Sequence, residues 1–274
     1  MELTPGNIYN GDCLELMHGI PDGSIDMILA DLPYGTTACH WDSIIPLEPL
    51  WAHYKRIIKP RGAIVLTASQ PFTSVLVMSN LEWFKYCWVW DKKQASNPQL
   101  AKLQPLKTSE DICVFGNGRI TYNPQGLSDD IEKTVKRRGK WGNTIKAERR
   151  LGHIAIADNY QQEFTNYPKM ILSFPTKRNG VTHPTQKPLA LFSYLIRTYT
   201  NPGELVLDNT AGSGTTAIAA IETGRNWICI EKDASYFQIA QERIREKLAQ
   251  PFLPGIAEGQ PVKVEQVKLF CVDL

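Results

Sequence analysis

With 274 residues, 43% of them hydrophobic and 21% charged, the chain reads as an ordinary soluble globular protein with a large core, either one big α/β domain or a core carrying an inserted module. No apolar run approaches the length of a membrane span, and Met1–Pro5 lack the basic-then-apolar layout of a signal peptide, so no membrane partner and a cytoplasmic location are expected. The six cysteines form no C-x-x-C pair and the five histidines show no metal spacing, which excludes a disulfide framework and leaves no metal site; the net charge of +2 hides an uneven distribution.

The first half alternates strand-like and helix-like segments. Ile25–Asp31 is an apolar run broken only by Asp26 and ending in an acid, as expected of a parallel strand covered on both faces. Leu47, Leu50, Trp51, Tyr54, Ile57 and Ile58 recur at helical spacing and predict a helix ended near Pro60 and Gly62. Ala63–Ala68 reads as a strand, and Pro71 can open a helix running towards Leu81. Tyr86–Trp90 and Asp111–Phe115 are further strands flanking the polar stretch Asp91–Lys107. From about Gly116 to Asn179 no steady period survives, and a long irregular insertion in an α/β chain is usually functional or disordered.

The regular pattern then returns. Leu189, Phe192, Leu195, Ile196 and Tyr199 mark a helix, Glu204–Leu207 a strand, Thr215–Glu222 a small-residue helix and Trp227–Glu231 a strand. A last helix carries Phe237, Ala240, Ile244 and Leu248 on one face. The tail, 251–274, alternates well enough to add an edge strand. Strands alternating with helices indicate βαβ units and a mainly parallel sheet.

Two strand ends carry chemistry. Asp31-Leu-Pro-Tyr34 places a carboxylate, a rigid backbone and an aromatic face where open α/β sheets bind ligands; a plain turn is the alternative reading. Asp208-Asn-Thr-Ala-Gly-Ser-Gly-Thr-Thr216 joins a strand to a helix, with Gly212 and Gly214 permitting close backbone approach to a ligand. A phosphate loop needs Lys after its last glycine and Thr215 stands there. A dinucleotide turn stays open, with Ala217 in the third glycine position. Glu231, at the end of the next strand, can accept hydrogen bonds from two ribose hydroxyls, which together with Asp208 favours an adenosyl ligand.

Between Lys133 and Arg150 eight basic residues face a single acid, Glu148, giving +7 here and −5 elsewhere. Trp141, glycines and asparagines interrupt the run, which suits a segment tracking a phosphate backbone better than a solvated face.

Taken together, Asp31-Leu-Pro-Tyr34, His183-Pro-Thr-Gln-Lys-Pro188 and Asp208–Thr216 resemble motifs of the amino-group DNA methyltransferases, and their order resembles the β-class. The resemblance spans residues 7 to 248. It departs at Leu32, where Pro is usual, and at Asn209-Thr210, where Pro-Phe is usual.

What the resemblance implies is a circularly permuted S-adenosylmethionine-dependent fold, a mostly parallel seven-stranded sheet with helices on both faces. Residues 1–116 and 181–250 would form the catalytic core, 117–180 an inserted target-recognition region, and 251–274 a tail. Asp31, Pro33 and Tyr34 would be catalytic. The cofactor would meet Asp12, Cys13, Asp31, Thr185, Lys187, Asp208, Ala211, Gly212, Ser213, Gly214, Thr215, Glu231 and Lys232. DNA would meet Lys133, Lys136, Arg137, Arg138, Lys140, Arg149 and Arg150, with the Asp91–Lys107 loop near the flipped base.

The activity implied is methylation of adenine N6 in DNA after base flipping, with cytosine N4 and an RNA amine as alternatives. A cognate restriction endonuclease and a homodimer are further partners the family suggests. C5-cytosine chemistry needs a Pro-Cys pair, and the chain has none. A non-catalytic relative and an NAD-dependent oxidoreductase are the other classes weighed; the second leaves Asp31–Tyr34 without a purpose.

Overall fold

The computed structural model describes residues 2–35, 43–128, 164–176 and 186–249. The chain divides into two compact units, Met1–Asn123 with Met170–Leu274, and Pro124–Lys169. In the smaller one an antiparallel bridge joins Ser128 to Thr165, and Asn166 donates its side-chain amide to the Gly126 carbonyl at 2.7 Å.

The larger unit holds β1 (Asn7–Asn10), α1 (Cys13–Leu16), β2 (Ile25–Asp31), α2 (Leu47–Ile57), β3 (Ile58–Ala68), α3 (Phe72–Met78), β4 (Phe84–Asp91), β5 (Ser109–Phe115), β6 (Ile171–Ser173), α4 (Leu189–Tyr199), β7 (Leu205–Asp208), α5 (Thr215–Glu222), β8 (Asn226–Glu231) and α6 (Ala234–Ala249). The strands form one sheet in the order β1-β8-β7-β2-β3-β5-β4-β6. Only β5 runs against the others, being antiparallel to both its neighbours.

Alternation along the central strands builds both layers. Ile28 and Ala30 of β2, with Ile64 and Leu66 of β3, pack on α2 and α3 through Leu50, Tyr54, Ile57, Phe72 and Leu76. Met27, Leu29, Ala63 and Val65 face the opposite way, towards Leu191, Leu195, Ile196 and Tyr199 of α4 and Ala217–Ala220 of α5. Both faces are covered by helices, which is why these strands read as apolar runs rather than alternating ones.

Several expectations need correction. The sheet has eight strands among the described residues, not seven: β6, at one edge, and β1, at the other, have no counterpart among the segments that residue pattern predicts. β3 starts at Ile58 rather than Ala63, its Pro60–Gly62 segment falling where the pairing with β2 shifts register between Ile25 and Met27; proline fits such an irregular stretch. α3 stops at Met78, short of Leu81. On α6, Ala240 and Ile244 are buried while Leu248 is exposed, because the last turn runs past the sheet. The possible tail strand lies outside the described residues. Among the described residues no helix is long and apolar enough to cross a membrane.

Candidate active site

The ends of β7, β2 and β8 meet where neighbouring strands lead to opposite sides of the sheet, the position at which open α/β sheets bind ligands. A cavity of about 1000 Å³ opens there. Asp12, Cys13, Asp31, Pro33, Tyr34, Lys187, Asp208, Ala211, Gly212, Ser213, Thr215, Glu231 and Lys232 all line it. The two motifs meet directly: Thr210 Oγ1 donates to the Asp31 carbonyl at 3.1 Å.

Asp31 is held from three directions. Its Oδ1 accepts from the Tyr34 hydroxyl at 2.9 Å and from Thr67 Oγ1 on β3. Its Oδ2 accepts from Lys187 Nζ at 2.6 Å. Lys187 also lies 3.6 Å from Glu110, which pairs with Lys92 at 3.0 Å. Burial works against the Lys187 charge, yet Asp31 and Glu110 outweigh it and raise the ammonium pKa. Burial likewise opposes charge on Glu110, and Lys187 and Lys92 prevail, lowering it. Both groups are therefore charged at neutral pH.

Glu110 also lines the cavity, though no motif marks it, as does Lys92, which falls in the Asp91–Lys107 loop expected near the base. The signal was hidden by chain direction. Because β5 is reversed, its first residues sit beside the last residues of β3, with Asp111 opposite Ala68. An acid at the start of a strand is thereby brought to the sheet edge where the other strands end.

The Tyr34 ring stacks on Phe72, centroids 5.4 Å apart, and its buried hydroxyl is pushed well above the ordinary tyrosine range by burial and then by Asp31 and Glu110. The Pro33 carbonyl accepts no hydrogen bond among the described residues. Leu32, which replaces the usual proline, is buried in the apolar layer beneath.

At the glycine-rich end Asp208 is buried, accepting from the Thr216 hydroxyl and from the Thr210 N–H at 3.0 Å. Burial pushes its pKa up to about 7, against these hydrogen bonds. Glu231 accepts from the Gly212 N–H at 2.6 Å and the Asp233 N–H at 2.8 Å, and burial raises its pKa as well. Gly214 is absent from the cavity wall. Its φ of +78° and the 3.1 Å between an added Cβ and Ala240 Cβ show what the glycine is for, a left-handed turn pressed against α6.

Near the N-terminus, Asp12 caps α1 through the Leu14 N–H at 2.9 Å and pairs with Lys232 at 3.0 Å, whose hydrogen bond lowers its pKa. Burial raises the Cys13 thiol, which accepts from Asn209 Nδ2 at 3.5 Å. Asn209, at the other departure from the family pattern, also accepts from the Tyr54 hydroxyl at 2.6 Å and so ties α1, α2 and β7 together. Besides Tyr34, the aromatic side chains lining the cavity are Trp90, Phe192 and Tyr236.

Thr185 and the basic residues Lys133, Lys136, Arg137, Arg138, Lys140, Arg149 and Arg150 lie outside the described residues. Among those described, no cluster of His, Cys, Asp or Glu could hold a metal ion.

Known proteins resemble this chain in sequence and in fold. The family profile of the N6/N4 DNA methylases fits residues 25–242. The DNA adenine methyltransferase YhdJ of Escherichia coli K12 is 29% identical over 251 residues, covering 86% of this chain and 82% of its own. Two solved structures share the fold. The M1.HpyAVI complex with SAM has a TM-score of 0.58 at 24% identity, covering 86% of this chain and 98% of its own. The cytosine-N4-specific PvuII DNA methyltransferase has a TM-score of 0.62 at 16% identity, covering 90% and 92%.

Proposed function

The chain belongs to the N6/N4 family of DNA methylases, and we propose that it methylates the N6 amine of adenine in duplex DNA, using S-adenosylmethionine. The observation that carries this reading is the meeting of Asp31 and the Gly212 loop in one cavity, linked through Thr210.

The cavity suits the cofactor by its donor set. Buried Asp208 can face an ammonium, each Glu231 oxygen holds one backbone N–H and keeps room for a ribose hydroxyl, and Asp12 and Cys13 stand beside them. When bound, S-adenosylmethionine supplies a methyl group already activated on a sulfonium, so no metal is called for.

The chain's own residues act on the amine. An adenine N6 is a poor nucleophile because its lone pair is delocalised into the ring. Asp31 and the Pro33 carbonyl accept its two N–H bonds, which localises the lone pair on nitrogen and leaves it free to attack. Tyr34 and Thr67 fix one Asp31 oxygen and Lys187 holds the other, so the acceptor is preorganised. With Phe72 behind it, the Tyr34 ring offers a stacking surface to the base. Extruding a base costs a few kcal/mol and stacking on an aromatic returns about 1–3 kcal/mol.

Adenine is favoured over cytosine because Asp31 stands where cytosine-acting members of the family more often carry Ser, and because YhdJ is named an adenine enzyme. Cytosine N4 is the second reading, since the PvuII enzyme shares the fold. DNA from cells expressing the chain, digested to nucleosides and weighed by mass spectrometry, should contain N6-methyladenine. N4-methylcytosine without N6-methyladenine would reverse the base assignment, and neither product would remove the activity.

A further inference from the structure

We infer that Leu103 is the wedge that enters the DNA stack as the target base leaves it. The inference rests on the base-flipping methyltransferase reading above and adds to it the residue that fills the gap.

Leu103 is 82% exposed, the most exposed large apolar side chain among the described residues. It sits on the loop joining β4 to β5, whose residues Gln94, Ser96 and Lys107 form part of the cavity wall. Met78 and Ile171, the next most exposed, belong to α3 and β6, which contribute nothing to that wall.

The loop is built to hold its tip out. Its stem is closed by Lys92 N–H to the Thr108 carbonyl at 2.9 Å and by Ser96 N–H to the Lys107 carbonyl at 3.0 Å. Lys107 N–H donates to Asn97 Oδ1 at 2.7 Å. Nearer the tip a short 3-10 turn, Pro98–Leu100, continues into Leu103, whose N–H donates to the Leu100 carbonyl at 2.9 Å. The tip residue is thus pinned by its own turn.

Charge identifies the occupant. Of the four lysines in residues 92–109, Lys92 pairs with Glu110 at 3.0 Å and Lys93 with Asp91 at 2.7 Å, so beyond those pairs the loop's positive charge comes from Lys102 and Lys107. Lys102 adjoins the wedge and is exposed, placed to meet a phosphate beside the step that Leu103 enters. Apolar wedges flanked by basic residues are how proteins unstack a base step.

The test compares paired and unpaired targets. The recognition site is first mapped by sequencing modified bases in DNA from expressing cells. Duplexes carrying that site are then made with the target base either correctly paired or opposite a mismatch, which already lowers the cost of extrusion. Leu103→Ala should methylate the paired duplex about ten-fold or more slowly than the unaltered protein, and the mismatched duplex at nearly the same rate. Leu103→Met should restore turnover on the paired duplex. Equal loss on both duplexes, or no loss on either, overturns the wedge. If the unaltered protein methylates neither duplex, the methyltransferase reading fails instead.

Discussion

Lys187 Nζ lies 2.6 Å from Asp31 Oδ2, joining residues 156 positions apart in the chain. The pair fixes the carboxylate on which the proposed amine chemistry depends, and it extends through Glu110 to Lys92.

Asp31→Ala should lower methyl transfer by a factor of about 100–1000 or more, the range found when a preorganised polar partner of a transition state is removed. Binding of S-adenosylmethionine, followed by calorimetry, should change little. Lys187 retains Glu110 as a counter-charge, so the variant is expected to fold. Undiminished turnover would take Asp31 out of the reaction.

Lys187→Met leaves two carboxylates short of one cation. The Asp31 side chain is 24% exposed and that of Lys187 8%, so the cost should fall below that of a fully buried pair, at about 2–3 kcal/mol near neutral pH. Glu110 has a lowered pKa in the folded protein, so its stabilisation is present above the unfolded carboxylate pKa and fades as pH falls through the folded one. The difference between variant and parent should therefore shrink in acid. Chemical denaturation at several pH values would show it, and a pH-independent difference would contradict the ion-pair account.

Asp208 has the opposite sign. Its pKa is raised to about 7, so the folded state holds a proton that the unfolded chain releases, and stability declines as pH rises from about 4 to 7. The slope reaches at most about 1.4 kcal/mol per pH unit. A cofactor ammonium beside Asp208 favours its charged form, so affinity for S-adenosylmethionine should strengthen between pH 6 and 8. Asp208→Asn should flatten both trends in part, Glu231 contributing the remainder in the same direction. Calorimetric titrations across that range decide the matter; affinity independent of pH in the parent would refute it.

Gly214 and Gly224 separate two costs. Both have positive φ, +78° and +68°, but only at Gly214 does an added Cβ meet neighbouring atoms. Gly224→Ala should pay the left-handed backbone cost alone, about 1–2 kcal/mol. Gly214→Ala should lose more, lowering the melting temperature by about 5 °C or further. Equal losses would show that contact with Ala240 is immaterial.

Neutralising Lys136, Arg137, Arg138, Arg149 and Arg150 together should reduce the slope of log affinity against log salt on duplex DNA by about four to five if each meets a phosphate. An unchanged slope would mark the run as solvated surface.

Much of this was readable from the residues. The apolar run Ile25–Asp31, the helical spacing of Leu189–Tyr199 and the small residues of Thr215–Glu222 each gave a segment close to the one formed. Burial on both faces of a parallel sheet, or on one face of a helix, writes itself into local pattern. β6, three residues at a sheet edge with only Leu172 buried, writes almost nothing.

The sequence alone determined that acids stand at the ends of β2, β7 and β8, because strand ends and turns follow from neighbours along the chain. Only tertiary structure decided which of them share a cavity, that Lys187 answers Asp31, and that the reversed β5 carries Glu110 to the same edge. Those are facts of strand order and direction, and long-range pairing leaves no periodic trace in a sequence. Gly214 makes the same point in miniature: its need for glycine is local in φ, but the side chain it must avoid belongs to a helix that follows the next strand.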